Sequence, residues 1–318
     1  PPARRAPRRR ALTFPADRIA TALYKAGRIF FTRAAVIVLS VLGLAGLGIF
    51  AATWWRGSQS LFLAGDSYLL GALVLVLLNV LAVGGHELGH ALAVKHAGRE
   101  VTRAGLSFRY GIPAVVVDTA DAWMAGRRAR VLVTAAGPGA ALILAGVVQL
   151  AALALPALGP VAFKLAFLWY LNVLLHLNPF LPLDGSRLLM DWFEIPNLRG
   201  RGLAWLSARL RGRPPAWGRL DGEGKIIALY GFLAVLWIAV VANLAYRIWA
   251  DRLAGVTTGL WDDGPAGKLL LAAIVLGLCA PLLTVGVRRL ARGVRRSRQR
   301  ARERRRVADQ PRRLAALR

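Results

Sequence analysis

Six long apolar runs limit the folds that this 318-residue chain can adopt. The runs cover residues 34–55, 67–94, 131–156, 161–179, 226–246 and 269–287. A run of about 18 or more apolar residues is long enough to cross a bilayer as a helix. Hydrophobic residues make up 56% of the chain, and they are concentrated in these runs rather than spaced with an amphipathic period. The sequence therefore predicts an all-α polytopic membrane protein with about six transmembrane helices.

The net charge of +27 is distributed unevenly between the connections. Residues 1–33 carry nine Lys and Arg, residues 95–130 carry seven, residues 187–225 carry eight and residues 288–318 carry fourteen. The other connections carry few. The positive-inside rule places the four basic segments, and so both termini, on the cytoplasmic side of the cell membrane. We expect a basic cytoplasmic arm over 1–33, a six-span membrane core over 34–287 and a polybasic cytoplasmic tail over 288–318.

The polybasic tail has more than one interpretation. It can be a solvated anchor that fixes the topology, or it can bind anionic lipid headgroups, as polybasic segments beside a membrane span do. No aromatic stacking platform accompanies its arginines, which argues against a nucleic-acid partner. We therefore expect anionic lipid headgroups as a partner of the tail and no nucleic acid.

Two segments depart from the helical pattern. Residues 101–119 alternate partly between apolar and polar residues around a Gly111-Ile112-Pro113 break, which predicts a short β-hairpin at the cytoplasmic face. The fourth run ends at Pro179 and Pro182, so we expect its helix to break near Asn178. Non-helical backbone at membrane depth is tolerated only where protein covers it or where it lines a wet cavity.

The second run carries three ionisable side chains, His86, Glu87 and His90. His86 and His90 are four residues apart, so they lie on one face of a helix, and Glu87 is about 100° around the axis from His86. The His-Glu-x-x-His spacing is typical of two zinc ligands and a general base. The ordinary alternative is a pair of hydrogen-bonded core histidines. An ionised group at mid-bilayer costs about 2.5–3.5 kcal/mol even on the mildest scale, which favours a functional role for Glu87.

A catalytic zinc ion needs a third protein ligand and one open position. We predict Asp184 as that ligand, because it follows the helix break and the topology places it at the depth of the histidine pair. His176 is interpreted as a polar residue hydrogen-bonded within the bundle, and His96 as an interfacial side chain. The expected cofactor is one Zn²⁺ per chain, bound by His86, His90 and Asp184.

Three stretches resemble the site-2 protease family of intramembrane zinc metalloproteases. HELGHALAVKHAG, residues 86–98, matches the zinc-binding helix of that family, and NPFLPLDG, residues 178–185, resembles its Asn-Pro…Asp-Gly element. AAGPGA, residues 135–140, is similar to the small-residue start of the intervening span. The sequence around the second element, residues 175–202, is also similar to a bacterial branch described as peptide zinc metalloproteases. The resemblance covers roughly residues 75–250.

The resemblance implies an enzyme that hydrolyses peptide bonds of a membrane-embedded protein or peptide at the cytoplasmic side of the bilayer. It implies His86, His90 and Asp184 as zinc ligands and Glu87 as the general base. Asn178 is a second catalytic candidate, since its amide could hydrogen-bond the substrate backbone or the oxyanion, although a helix-terminal structural role fits it equally well.

Two other classes of function fit part of the pattern. A membrane accessory protein could bind zinc structurally and assist peptide processing or export without proteolysis, but Glu87 has no purpose in such a site. A metal transporter would need several intramembrane carboxylates along a path, and beyond Glu87 and Asp184 the runs offer almost none.

Overall fold

The computed structural model of this protein describes residues 11–109, 112–212, 220–248, 250 and 254–276. Its helices are α1 (Asp17–Gly27), α2 (Arg33–Arg56), α3 (Tyr68–His96), α4 (Arg127–Ala154), α5 (Gly159–His176), α6 (Asp184–Phe193), α7 (Leu198–Leu210), α8 (Gly222–Ile248), α9 (Ala254–Asp262) and α10 (Gly264–Leu276). Its strands are β1 (Ala11–Pro15), β2 (Arg103–Arg109) and β3 (Ile112–Val117).

Within the described residues, five helices are long and apolar enough to cross a membrane, namely α2, α3, α4, α5 and α8. They correspond to the first five apolar runs, so the prediction of a helical multi-pass membrane protein is confirmed. The sixth predicted run, 269–287, begins in the short apolar helix α10 and continues outside the described residues, where the tail 288–318 also lies.

Helix α4 packs against α2, α3 and α5. Its contact with α2 is made by glycines: a Cβ on Gly146 would lie 2.9 Å from the backbone nitrogen of Gly43, and a Cβ on Gly46 would lie 2.9 Å from the carbonyl carbon of Gly146. Helices in lipid gain little hydrophobic free energy from packing together, so close approach of backbones through small residues stabilises their contacts. Tyr170 of α5 adds a hydrogen bond from its hydroxyl to the carbonyl oxygen of Gly43, at 3.2 Å.

The three strands form one antiparallel sheet in the order β1-β2-β3. Strands β2 and β3 pair from Ala104 with Val117 to Arg109 with Ile112, so the predicted hairpin within 101–119 is confirmed. Strand β1 pairs with the other edge of β2, a contact that the sequence did not predict.

The segment before the first span is also structured beyond β1. Ala16 and Ala20, at the start of α1, are buried in a cluster with Val94 of α3. The Asp17 carboxylate accepts hydrogen bonds from the Lys95 ammonium and from the Val101 backbone N–H, both at 2.9 Å. These contacts attach α1 to the end of α3 and to the chain that leads into β2.

The predicted helix break near Asn178 is confirmed. Helix α5 ends at His176, and α6 begins at Asp184 after a short non-helical connection. A Cβ on Gly185 would lie 2.6 Å from the carbonyl carbon of Leu177, so only glycine fits there. The first turn of α6 therefore lies directly against the last turn of α5, and Asp184 returns to the depth at which α5 ended.

Candidate metal centre

The two histidines of α3 meet on one helix face, as their spacing predicted. Their Nε2 atoms are 3.1 Å apart, and both residues are buried. The Nδ1–H of His90 donates a hydrogen bond to the carbonyl oxygen of Val133 on α4, at 2.7 Å. A proton on Nδ1 leaves the Nε2 lone pair available to a metal ion, which is how histidine ligands are commonly oriented.

Two glycines, which have no Cβ, leave space for the imidazoles of His86 and His90. At Gly89 of α3, a Cβ would lie 2.6 Å from the Cβ of Ala140, so the bare backbone brings α3 and α4 together beside the histidines. At Gly137 of α4, a Cβ would overlap the His90 ring and lie 2.7 Å from the Nε2 atom of His86. The small residues of AAGPGA therefore leave open the space into which both histidines project.

Asp184 completes the cluster from a segment 98 residues away in sequence. Its Oδ2 atom lies 3.1 Å from the Nε2 atom of His86 and 3.4 Å from that of His90. Burial opposes ionisation of this carboxyl, but the neighbouring imidazoles, His176 first among them, hold its pKa below the usual range. The structure thus brings the three predicted ligands together, and their role as metal ligands stays a prediction.

His176 also belongs to this cluster, which the sequence analysis did not predict. Its Nδ1 atom lies 2.6 Å from the Asp184 Oδ2 atom, and its ring centroid is 4.1 Å from that of His86. His86, His176 and Asp184 form a group that could hold a metal ion. The positions of the two residues could have indicated this contact. His176 is the last residue of the helix before the break, and Asp184 is the first residue of the helix after it.

The spacing of the donor atoms distinguishes the first three residues from His176. Atoms that lie about 2.0–2.1 Å from a tetrahedral zinc ion are about 3.3 Å from one another. The separations among His86, His90 and Asp184 are 3.1, 3.1 and 3.4 Å, which fit three ligands of one ion of this size. The 2.6 Å between His176 and Asp184 is a hydrogen-bond length, which fits a residue that orients a ligand.

Glu87 lines the same cavity, which has a volume of about 220 Å³ and is also lined by His86, His90 and Asp184. Its Oε2 atom accepts a hydrogen bond from the backbone N–H of Val117, at 3.0 Å. The carboxylate is therefore held by the last residue of β3 rather than by a side chain. Sequence reasoning missed this contact, because nothing in a sequence indicates which backbone N–H a glutamate will reach.

Asn178 occupies a different surface from the cluster. Its side-chain oxygen accepts a hydrogen bond from the Phe180 backbone N–H at 2.9 Å, and the residue lines an apolar groove with Leu177 and Trp237. The polar cavity around Asp184 does not include it. These contacts favour the helix-terminal role, one of the two that the sequence left open.

His96 lies outside the cluster, as predicted. The Tyr24 hydroxyl is 3.0 Å from its Nδ1 atom, and its ring stacks on Phe31 at a centroid distance of 4.6 Å. His96 is therefore a histidine of the same helix that lies outside the candidate metal centre.

No protein-family model, curated protein or solved structure matches this chain. The resemblance to the site-2 protease family therefore stays an expectation, and it depends on the stretches 86–98, 135–140 and 178–185 of the sequence. In the folded chain these three stretches meet: the first supplies two histidines, the second supplies the bare backbone at Gly137, and the third supplies Asp184.

Proposed function

We propose that this chain is an intramembrane zinc metalloprotease of the site-2 protease type. Its substrate is a membrane-embedded protein or peptide, of which it hydrolyses a peptide bond. The observation that carries the proposal is that His86, His90 and Asp184 converge at the separations of co-ligands while Glu87 lines the same cavity.

Each residue has a distinct role in the proposed reaction. His86, His90 and Asp184 would hold one zinc ion, which would polarise the scissile carbonyl and make a water molecule more acidic. The Glu87 carboxylate takes a proton from that water and delivers it to the departing amine nitrogen. Water adds to the carbonyl carbon, the carbon–nitrogen bond breaks, and the products are a carboxylate and an amine.

The substrate is presented in an extended form. A transmembrane helix hides its peptide bonds, so it must unwind before one of them can enter the cavity. Among the described residues strand β3 pairs with β2 on one side only, and its residues Val116 and Val117 line the cavity, so its other edge, which faces α3, offers backbone groups to the unwound segment. Backbone pairing with a strand edge holds peptides of varied sequence in one orientation.

The proposed orientation places the metal centre near the cytoplasmic side of the cell membrane, with both termini cytoplasmic. It adds a sixth span over 269–287 to the five helices already described. The alternation of Lys and Arg between connections supports it. Reporter fusions at residues 60 and 255 should be exported, and fusions at residues 115 and 205 should stay in the cytoplasm. The reverse pattern would contradict this orientation.

A specific observation also favours the accessory function. His176 places a fourth donor beside the other three, and four protein ligands would make a closed structural zinc site without a position for water. Replacement of zinc by Co²⁺, with X-ray absorption at the metal, distinguishes the two arrangements. The protease proposal expects two histidine nitrogens and a water oxygen, and His176→Ala should leave the number of coordinated nitrogens unchanged. A third histidine nitrogen that disappears in His176→Ala would favour the accessory function.

The proteolytic proposal is tested with the purified chain and a synthetic membrane peptide in vesicles. The peptide is a Leu/Ala helix of about 20 residues with a central Asn-Gly pair that lets it unwind. Cleavage should require about one zinc ion per chain, stop with a chelator and return with added Zn²⁺. Cleavage that persists in the metal-free protein would contradict the proposal.

A further inference from the structure

Strand β3 directs its backbone N–H groups alternately to its two sides. The N–H of Asp118, just past the strand, donates to the carbonyl oxygen of Arg103 at 2.8 Å, so residues 114 and 116 also direct their N–H groups toward β2. Residues 113, 115 and 117 therefore direct theirs to the opposite edge.

That outer edge is nearly without donors. Pro113 has no N–H, and the N–H of Val117 is bound to Glu87. Over the stretches that the structure describes, only Val115 keeps an outward N–H without a recorded partner. On this edge of β3 an incoming strand therefore finds one available donor, the N–H of Val115. It lies two residues before the Val117 N–H that binds the Glu87 carboxylate.

The hydrogen bond from Val117 has a consequence for Glu87. It uses Oε2, while Oε1 makes no hydrogen bond to the described residues. A hydrogen bond to a carboxylate is charge-assisted and fixes the orientation of the group. One oxygen of Glu87 is thus anchored, and the other is available to accept a proton.

We propose that the backbone N–H of Val117 positions Glu87 and that Val115 is the single donor by which β3 captures an extended substrate. This inference rests on the proteolytic function proposed above. A substrate strand that continued past Val115 would need the Val117 N–H, which Glu87 already occupies. Donation from this edge therefore ends at Val115, whose N–H lies two residues, or about 6.7 Å of strand, before the N–H that holds Glu87.

Proline and alanine substitutions separate the two roles, because proline removes one N–H and alanine keeps it. Both N–H groups point away from β2, and proline is tolerated at such edge positions, as Pro113 illustrates. Val117→Pro should lower kcat about a hundredfold with little change in KM, as displacement of a catalytic group by about 1 Å does. Val117→Ala, which keeps the N–H, should lose far less of its kcat than Val117→Pro, and both variants should keep their zinc.

Val115→Pro should weaken substrate binding rather than lower kcat. The loss of one hydrogen bond should raise KM about two- to tenfold while kcat stays near wild type. Mass spectrometry of the Leu/Ala peptide products should show one main cleavage position for wild type and Val115→Ala. It should show several neighbouring positions for Val115→Pro, because its substrate is no longer held in one register.

If Val117→Pro does not fold, amide hydrogen exchange of the backbone tests the same hydrogen bond without a proline substitution. In Glu87→Ala, hydrogen exchange of the Val117 amide should accelerate at least tenfold, while the Val115 amide should exchange at the wild-type rate. Unchanged exchange at Val117, or a Val117→Pro protein that cleaves like Val117→Ala, would overturn this inference and leave the protease proposal standing. A wild-type protein that cleaves no peptide would overturn the proposed function itself.

Discussion

Helix α4 makes two glycine contacts that look alike and differ in what they face. Gly146 meets the backbone of α2, where an added Cβ would collide with Gly43. Gly137 meets the imidazoles of His86 and His90. A backbone cannot move aside without shifting a helix, whereas a ring can rotate. The same small residue therefore serves helix packing at one position and leaves room for the proposed metal ligands at the other.

The largest effect on zinc affinity should come from removing one of the proposed ligands that Gly137 faces. His90→Ala should lower zinc affinity by more than the roughly 10–100-fold that loss of a supporting hydrogen-bond partner costs, because it removes a ligand itself. His96→Ala is the matched control, since His96 lies on the same helix outside the cluster. Zinc titration against a competing chelator measures both variants. Equal affinities for the two would contradict a metal centre at His90.

The two glycines can be compared directly by adding a methyl group to each. Gly137→Ala should reduce zinc affinity at least tenfold with a small change in the stability of the metal-free protein, because the rings turn away from the new Cβ. Gly146→Ala should cost about 1–3 kcal/mol of stability, as overpacking typically does, and leave zinc affinity unchanged in the folded fraction.

Thermal unfolding in detergent and zinc content measure both glycine variants. If both lost stability equally and both kept zinc, the proposed distinction between the two contacts would be wrong.

The smallest effect should be at a partly exposed ion pair at the end of α3. Asp17 and Lys95 join α1 to the end of α3, and the Asp17 side chain is 41% exposed. The hydrogen bond from Lys95, and then that from the Val101 N–H, lower the pKa of Asp17 below its ordinary value of 3.8. The ion pair therefore contributes its full stabilisation above about pH 4, and that stabilisation is lost as the pH falls below this value.

Asp17→Asn should accordingly lower the Tm of the metal-free protein slightly at pH 7. The difference from wild type should shrink as the pH falls through the lowered pKa of Asp17, because the carboxyl then becomes protonated in the folded protein as well as in the unfolded one. Tm measured in detergent from pH 7 to pH 3 checks this. A difference that grew as the pH fell would contradict the stabilising role of the ionised carboxylate.

The sequence predicted the local parts of the centre better than the distant ones. His86 and His90 follow from helix periodicity alone, and Asp184 follows from the proline break together with the alternation of charge. His176 was not predicted to reach the cluster, because its contact depends on how tightly α6 folds back at Gly185. Strand β1 was not predicted for a similar reason, because its pairing with β2 joins residues about 90 positions apart. The composition of the segment that contains β1 indicates only that it is basic.

One variant bears most directly on whether the centre is catalytic. Gln resembles Glu in shape and can still accept the Val117 N–H, but it does not take a proton from water. If Glu87 is the general base, Glu87→Gln should fold, keep about one zinc per chain, and cleave the Leu/Ala peptide at least about 100- to 10,000-fold more slowly than wild type. A Glu87→Gln protein that holds zinc and cleaves as fast as wild type would contradict the catalytic role of Glu87 and the mechanism built on it.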